Sequence, residues 1–193
     1  MNEQELIALL KERDESAFKQ LVLTWQDMVY NTVLGIVQHE EDAEDVSQEV
    51  FVQVFQSIIS FKSESKLSTW IYRIATTKAL DHLRKKKRKK RFAFVQSLFG
   101  MQEQEKELPA TFNHPGIILD NKEKAAVLFK ALEKLPEKQK VAFTLHKVEG
   151  LSYQEIGEVM QTTLPAIESL IHRAKGNLKK QLTDYYRTHG TRF

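Results

Sequence analysis

Residues 151–178 read LSYQEIGEVMQTTLPAIESLIHRAKGNL. Ser152-Tyr153-Gln154-Glu155 is a capping box, in which the serine hydroxyl and the glutamate carboxylate each take a backbone amide that a helix start leaves unpaired. It predicts a short helix ending near Met160. Gln161-Thr162-Thr163 is a tight connection. Pro165 then suits the first turn of a longer helix, where its missing N–H is no loss, and that helix should run to about Tyr185. Ile156, Val159, Leu164, Ile167, Leu170, Ile171 and Leu178 are spaced to pack the two helices on each other. The whole has helix-turn-helix shape, and such a pair lays the start of its second helix in the DNA major groove. Thr163, Pro165, Ala166, Glu168, Ser169 and His172 are the candidates for base contact, and Arg173 and Lys175 are better placed for phosphates. An ordinary helical hairpin would share the apolar spacing; the capping, the turn length and the basic tail together favour DNA.

Upstream of this pair, Ala125 to Leu135 reads as one helix. Pro136 can begin another that runs to about Val148, where Gly150 can end it. The second domain therefore starts near Asn121. Between Arg91 and about Asp120 the pattern changes. Gly100, Pro109, Pro115 and Gly116, an acidic patch (Glu103, Glu105, Glu107) and weak periodicity mark a flexible linker, long for a loop inside one compact domain. Phe92, Phe94, Leu98 and Phe99 suggest that part of it docks on something. The expected organisation is a helical domain over 1–91, a linker over 92–120 and a helix-turn-helix domain over 121–193.

The front domain ends in eight consecutive basic residues, Arg84 to Arg91 (RKKKRKKR). Like charges in line repel each other and call for a polyanion; nucleic-acid phosphate is the obvious one, since each neutralised phosphate releases counterions. A solvated charge run or a localisation tag is the alternative. The run follows the polar loop Phe61 to Lys66 and a helix, capped by Ser68, that carries Trp70 and Tyr72. Aromatic faces beside a basic track are what single-stranded nucleic acid uses, and a snug polar loop can hold one unstacked base. At least one of the two aromatics is expected in the core instead.

Three helices precede this segment. Asn2 caps the first, with Glu5 completing a capping box. Asp14 opens the second, whose Phe18, Leu21, Val22, Trp25, Met28, Val29, Thr32, Val33 and Ile36 lie along one face. The third, about Glu41 to Ile58, turns Ala43, Val46, Val50, Val54 and Ile58 inward. Its acidic start, HEEDAEDVSQEVF (39–51), complements a helix dipole. Glu44, Asp45, Gln48 and Glu49 continue past the first turn, which a basic protein partner would explain, and that face should point away from DNA.

Composition narrows the class. The chain has 193 residues with only 7 Gly and 4 Pro, and no strand-like alternation persists, so it should be all-α. With no cysteine, disulfides and cysteine-based zinc sites are excluded. The net charge of +3 hides segregation: residues 1–80 hold 7 basic and 13 acidic groups, residues 81–91 hold 8 and 1, and residues 121–193 hold 13 and 8. Different regions should thus meet different partners. No signal peptide is visible, and the uncharged stretch from Met28 up to Glu40 is too short and polar to span a bilayer, so a cytoplasmic protein is expected. No nucleophile–base pair, phosphate-binding glycine loop or metal-ligand cluster appears, and the six histidines show no i, i+4 pairing. No catalytic residue, metal or cofactor is expected, and the chain should not be an enzyme.

Three segments in order, 42–58, 61–88 and 135–178, resemble the bacterial sigma factors of the extracytoplasmic-function (ECF) class of the sigma-70 family. The resemblance spans nearly the whole chain. It implies that 1–91 corresponds to region 2 and 121–193 to region 4, with the linker in place of region 3. It implies binding to core RNA polymerase, through the β′ clamp and the β subunit, and to promoter DNA, with no membrane insertion. Asp42, Glu44, Asp45, Gln48 and Glu49 would contact the β′ clamp coiled coil. The Phe61–Thr69 loop (Lys62, Ser63, Glu64, Ser65, Lys66 and Thr69) would capture an extruded base of the −10 non-template strand. Trp70, Arg73, Lys78, Asp81, Arg84, Lys85 and Arg88 would lie along the −10 helix, and Thr163 to Lys175 would read the −35 duplex. The linker would thread toward the polymerase active-site channel, its acids mimicking nucleic acid. An anti-sigma factor is a common partner in this family. Departures exist: Glu168 and Leu170 stand where the family commonly has lysine and arginine, Pro165 and Ala166 where it has glycine and threonine, and the loop lacks a bulky aromatic between Ser63 and Leu67. A conventional helix-turn-helix regulator binding palindromic duplex alone, or a nucleic-acid enzyme such as a recombinase, are the rival readings.

Overall fold

The computed structural model describes residues 2–98 and 122–189, and among them the chain is helical throughout, with no strand. The order is α1 (Glu3–Lys11), α2 (Glu15–Val37), α3 (Glu40–Ser57), a 3-10 turn (Ile58–Ser60), α4 (Leu67–Leu98), α5 (Lys122–Glu133), α6 (Glu137–Lys147), α7 (Tyr153–Met160) and α8 (Leu164–His189). The expected linker lies mostly outside the described residues, but α4 continues to Leu98, beyond the Arg91 boundary read from the sequence.

The starts follow local chemistry. Asn2 and Glu5 form the expected capping box on α1, and Asp14 accepts the Ala17 amide at 2.7 Å to open α2. Gln38 ends α2 in the left-handed region (φ 62°). Ser68 does not cap α4. It already lies in the first turn, Lys66 supplies the carbonyl that the Trp70 amide bonds, and the Leu67 amide is taken by the Glu3 carboxylate at 3.2 Å. A partner 64 residues upstream thus does the work that a local serine was expected to do.

Helices α2, α3 and α4 pack on one another, with α1 across α2 and the 3-10 turn. Leu21, Val29, Val33 and Ile36 from α2, Ala43, Val46, Val50 and Val54 from α3, and Leu67, Ile71, Ala75 and Ala79 from α4 are all buried. In the back domain α6, α7 and α8 form the main body. Helix α5 lies on α8 through a smaller cluster of Phe129, Leu132, Leu135, Ala174 and Leu178.

The two domains do not stand apart. Val141, Ala142, Leu145, Ile156, Val159, Ile167 and Ile171 join the front-domain residues in one continuous apolar cluster. Helix α2 approaches α6 closely at Gly35. A Cβ added at Gly35 would lie 2.5 Å from Thr144 Cγ2, so the absent side chain lets the helices meet. Carbonyls in the last turn of α2 lack intrahelical donors. Thr144 Oγ1 donates to the Gly35 carbonyl at 3.3 Å, and Lys140 Nζ reaches the Ile36 carbonyl at 3.5 Å. A cation at a helix C-terminus also complements the dipole.

Candidate nucleic-acid and partner surfaces

Helix α4 buries Leu67, Ile71, Tyr72, Ala75 and Ala79 and turns its cations outward. Of the two aromatics, Tyr72 is the buried one, and Trp70 stays half-buried with its ring 5.0 Å from that of Phe61. The Phe61–Lys66 loop is pinned at both ends, by buried Phe61 and by the Glu3 contact at Leu67. Between the pins, Lys62, Ser63, Glu64 and Lys66 are exposed and Ser65 is half-buried. Ser63 holds a left-handed backbone (φ 57°) that turns the chain sharply. Thr69 is buried.

The basic run lies in the second half of α4 and is only partly open. Lys86 Nζ sits 3.0 Å from Asp42 Oδ2, and His82 Nε2 sits 3.3 Å from Asp42 Oδ1. Burial pushes the Asp42 carboxyl up, but Lys86, His82 and His39 outweigh it and hold the group below the usual carboxylate range. Asp42 thus faces the basic helix, although the acidic face was expected to point away from the DNA side. Asp45, Gln48 and Glu49, with Val52, Gln53, Gln56 and Lys78, line a shallow groove between α3 and α4. Lys78, grouped by sequence with the DNA-facing residues, belongs to this groove. Glu44 is exposed. Val52 in the groove, together with Phe55 and Ile59, leaves apolar surface in solvent.

A second cleft is lined by Asp81, Arg84, Lys85, Lys87, Arg88, Arg91 and, from the back domain, Glu137. Arg84 Nη2 donates to Glu137 Oε2 at 3.0 Å, and Lys87 Nζ lies 3.7 Å from Glu137 Oε1. Arg73 donates through Nε and Nη2 to the Glu158 carbonyl at 3.1 and 2.9 Å. Between these contacts, the Tyr72 hydroxyl donates to Glu149 Oε2 at 2.9 Å. Burial raises the Glu149 carboxyl to about 7 against the opposing effect of that hydrogen bond. Its other oxygen, Oε1, is buried without a partner. Burial, with the Glu149 charge beside it, keeps the Tyr72 phenol protonated.

On the back domain, Ser152 and Glu155 form the capping box of α7, and the Ser152 backbone and hydroxyl hold the Glu155 carboxyl below its usual range. Gln161 (φ 51°) ends α7, and the Thr163 carbonyl takes the Ile167 amide at 3.1 Å to start α8. A Cβ on Gly157 would lie 3.1 Å from the Thr162 carbonyl, so glycine lets the turn fold close over α7. Ile167, Ile171, Ala174 and Leu178 face inward. Thr163, Pro165, Glu168, His172, Arg173 and Lys175 are exposed, with Ala166 and Ser169 half-buried beside them. Pro165, Glu168, Ser169 and His172 follow i, i+3, i+4, i+7 spacing and so form one outward row, of the kind a major groove admits.

The candidate polymerase, −10 and −35 residues are thus located, while the side chains of Phe92, Phe94, Leu98 and Phe99 and the acidic patch Glu103, Glu105 and Glu107 lie outside the described residues. What sequence reasoning missed is the contact set between domains: Tyr72–Glu149, Arg73–Glu158, Arg84–Glu137 and Gly35–Thr144. Gly35, a glycine inside an otherwise apolar helix end, was the one local sign of a close approach.

Comparison with known proteins agrees with this layout. Residues 21–89 match the family model for sigma-70 region 2, and residues 126–178 match that for sigma-70 region 4. The ECF RNA polymerase sigma factor SigW of Bacillus subtilis is 31% identical over 179 residues, covering 92% of this chain and 95% of that protein. The RNA polymerase sigma-H factor of Pseudomonas aeruginosa is 29% identical over 93% of both chains, and the ECF sigma-E factor of Escherichia coli K12 is 29% identical over 91% of both. Among solved structures, CnrH in complex with the cytosolic domain of CnrY superposes with a TM-score of 0.66 at 21% identity, covering 94% of this chain and 97% of that one. RpoE in complex with the anti-sigma factor NepR from Bartonella quintana gives 0.61 at 23% identity, covering 86% and 96%.

Proposed function

This chain belongs to the sigma-70 family of RNA polymerase sigma factors, its relatives being of the ECF class, and from that premise we propose how its surfaces divide the work of promoter recognition. Core RNA polymerase docks on the groove of Asp45, Gln48 and Glu49, whose two carboxylates suit a basic coiled coil. The row Pro165, Glu168, Ser169 and His172 on α8 meets base edges of the −35 duplex, while Arg173 and Lys175 hold phosphates. The Lys62–Lys66 loop, with Trp70 beside it, takes an extruded base of the −10 element. Lys85 and Arg88, exposed on α4, track the strand. Melting then comes from trapping unstacked bases and needs no nucleotide hydrolysis. The work is done where RNA polymerase is, in the cytoplasm. An anti-sigma factor, the kind of partner that accompanies RpoE in its solved structure, is proposed here as well.

The observation that carries this division is that one chain holds a capped helix-turn-helix with an outward polar row and, on a separate helix, a basic track beside a pinned loop. The test is run-off transcription by bacterial core polymerase on pooled genomic promoter fragments, with and without the protein. Transcripts that depend on the protein and share paired upstream elements support the reading. No transcripts, with tight binding of duplex DNA by the chain alone, would replace it with a conventional regulator.

A further inference from the structure

The first turns of α8 hold two side chains that the packing of the back domain does not explain. Glu168 is exposed, and among the described residues its carboxylate has no hydrogen-bond or ion-pair partner. The spacing predicts Leu164 in the seam of the helix pair, yet it is 47% exposed. Ile156, Val159, Ile167 and Ile171 are all buried, and among the described residues Leu164 is the one large apolar side chain that the back domain leaves in water. Four residues apart, Leu164 and Glu168 stand one above the other on one side of the helix.

A carboxylate carried into the major groove enters between two lines of phosphates. Only an amino N–H offsets that repulsion and the water lost, because an ionised carboxylate accepts hydrogen bonds and donates none. Guanine and thymine turn only acceptors and a methyl to the groove. Adenine sets its N6 amino group beside the N7 lone pair, which repels a carboxylate, whereas cytosine shows its N4 amino group with no acceptor of its own alongside. An apolar side chain at the same depth finds one apolar group there, the thymine C5 methyl.

We infer that Glu168 selects a cytosine and Leu164 a thymine in the −35 element, so that a wrong base is rejected by leaving a charge unpaired. The inference rests on the −35 reading of α8 and adds base identity to it. Four residues of helix rise about 6 Å, close to two base-pair steps of about 3.4 Å, which places the thymine within two pairs of the cytosine. Arg173 and Lys175, exposed further along α8, hold phosphates, so affinity does not depend on the acid.

The test uses the full chain bound to core polymerase and a promoter from the run-off pool whose −35 block is randomised. Sequencing of the retained duplexes should show cytosine enriched at least about tenfold at one position, and thymine enriched within two pairs of it. Glu168→Gln exchanges one acceptor oxygen for an N–H donor, which suits adenine N6 and N7, and should move that position from cytosine to adenine. Replacing the thymine by deoxyuridine removes its methyl alone. Wild-type affinity should then fall roughly threefold, while that of Leu164→Ser stays level. No cytosine preference, or one that Glu168→Gln leaves in place, overturns the role of Glu168. A deoxyuridine effect that is absent from wild type, or equal in both proteins, overturns that of Leu164. Retention that ignores the whole −35 block overturns the −35 reading itself, and both assignments with it.

Discussion

Replacing Glu149 with glutamine should stabilise the closed arrangement near neutral pH and leave it unchanged in acid. Burial raises this carboxyl from 4.5 to about 7. The closed form therefore keeps a proton that the opened or unfolded chain gives up. Below about pH 4.5 both forms are protonated and there is no penalty. As pH rises through 4.5 to 7 the open form ionises first, so closure weakens, and above 7 the whole penalty is present. At about 1.4 kcal/mol per pH unit the shift corresponds to about 3 kcal/mol. Glu149 keeps part of its surface in water, and screening there reduces the figure to about 2 kcal/mol. Glu149→Gln retains an oxygen for the Tyr72 hydroxyl and has no charge to bury. Any fixed cost of its amide cancels when two pH values are compared. The titratable group that faces the Glu149 carboxyl, Tyr72 on α4, is common to both proteins. Because one apolar cluster spans both domains, the penalty should appear in global unfolding, at about 2–4 °C per kcal/mol for a chain of this size. Thermal unfolding should show the variant about 4–8 °C above wild type at pH 7.5 and level with it at pH 4.5. Equal melting differences at both pH values would refute the reasoning, since they would place Glu149 in water in the native state.

Lys140 makes the mirror-image case. It is 4% exposed, and burial lowers its ammonium to about 8, with Lys87 adding to the shift and Glu133 and Glu137 opposing it. The penalty is full below pH 8 and fades toward the ordinary lysine value, so Lys140→Met should gain roughly 1–2 kcal/mol in urea unfolding at pH 7 and nothing at pH 10.5; an equal gain at both would refute it. Together the two groups make closure weakest between about pH 7 and 8. Asp45→Arg puts a cation in the α3–α4 groove and should abolish co-elution with core polymerase while leaving the circular dichroism unchanged; retained co-elution removes that residue from the interface. Arg173→Ala should weaken −35 duplex binding by the polymerase complex about equally across sequences and lower the salt slope by about one. A change confined to one base position would instead make Arg173 a base reader.

The features legible from sequence are those whose partners are close in the chain. Asn2 with Glu5, Asp14 with Ala17, and Ser152 with Glu155 act within three residues, and each cap stands where the pattern puts it. The inward rows of α2 and α3 follow from periodicity alone. Ser68 illustrates the limit: a capping residue stands at the start of a helix, yet the open amide goes to Glu3, which no local pattern specifies. Trp70 and Tyr72 pose the same problem, because both suit a stacking platform or a core, and the partner of the Tyr72 hydroxyl is Glu149, 77 residues away. Asp42 lies in one acidic run with Asp45 and Glu49, but it is drawn onto Lys86, 44 residues on. The packing of the back domain on the front one depends on a glycine and a threonine 109 residues apart. Neither is unusual by itself, which is why two separate domains were the natural reading.

The central claim is that this protein lets polymerase open a promoter. The most direct measurement is permanganate reactivity of thymines on a promoter recovered from the run-off pool, probed with core polymerase alone, the protein alone and both together. The account predicts reactive, unpaired thymines in the −10 element only when both are present, without added ATP. Thymines that become reactive with polymerase alone, or that stay paired with both present, would contradict it.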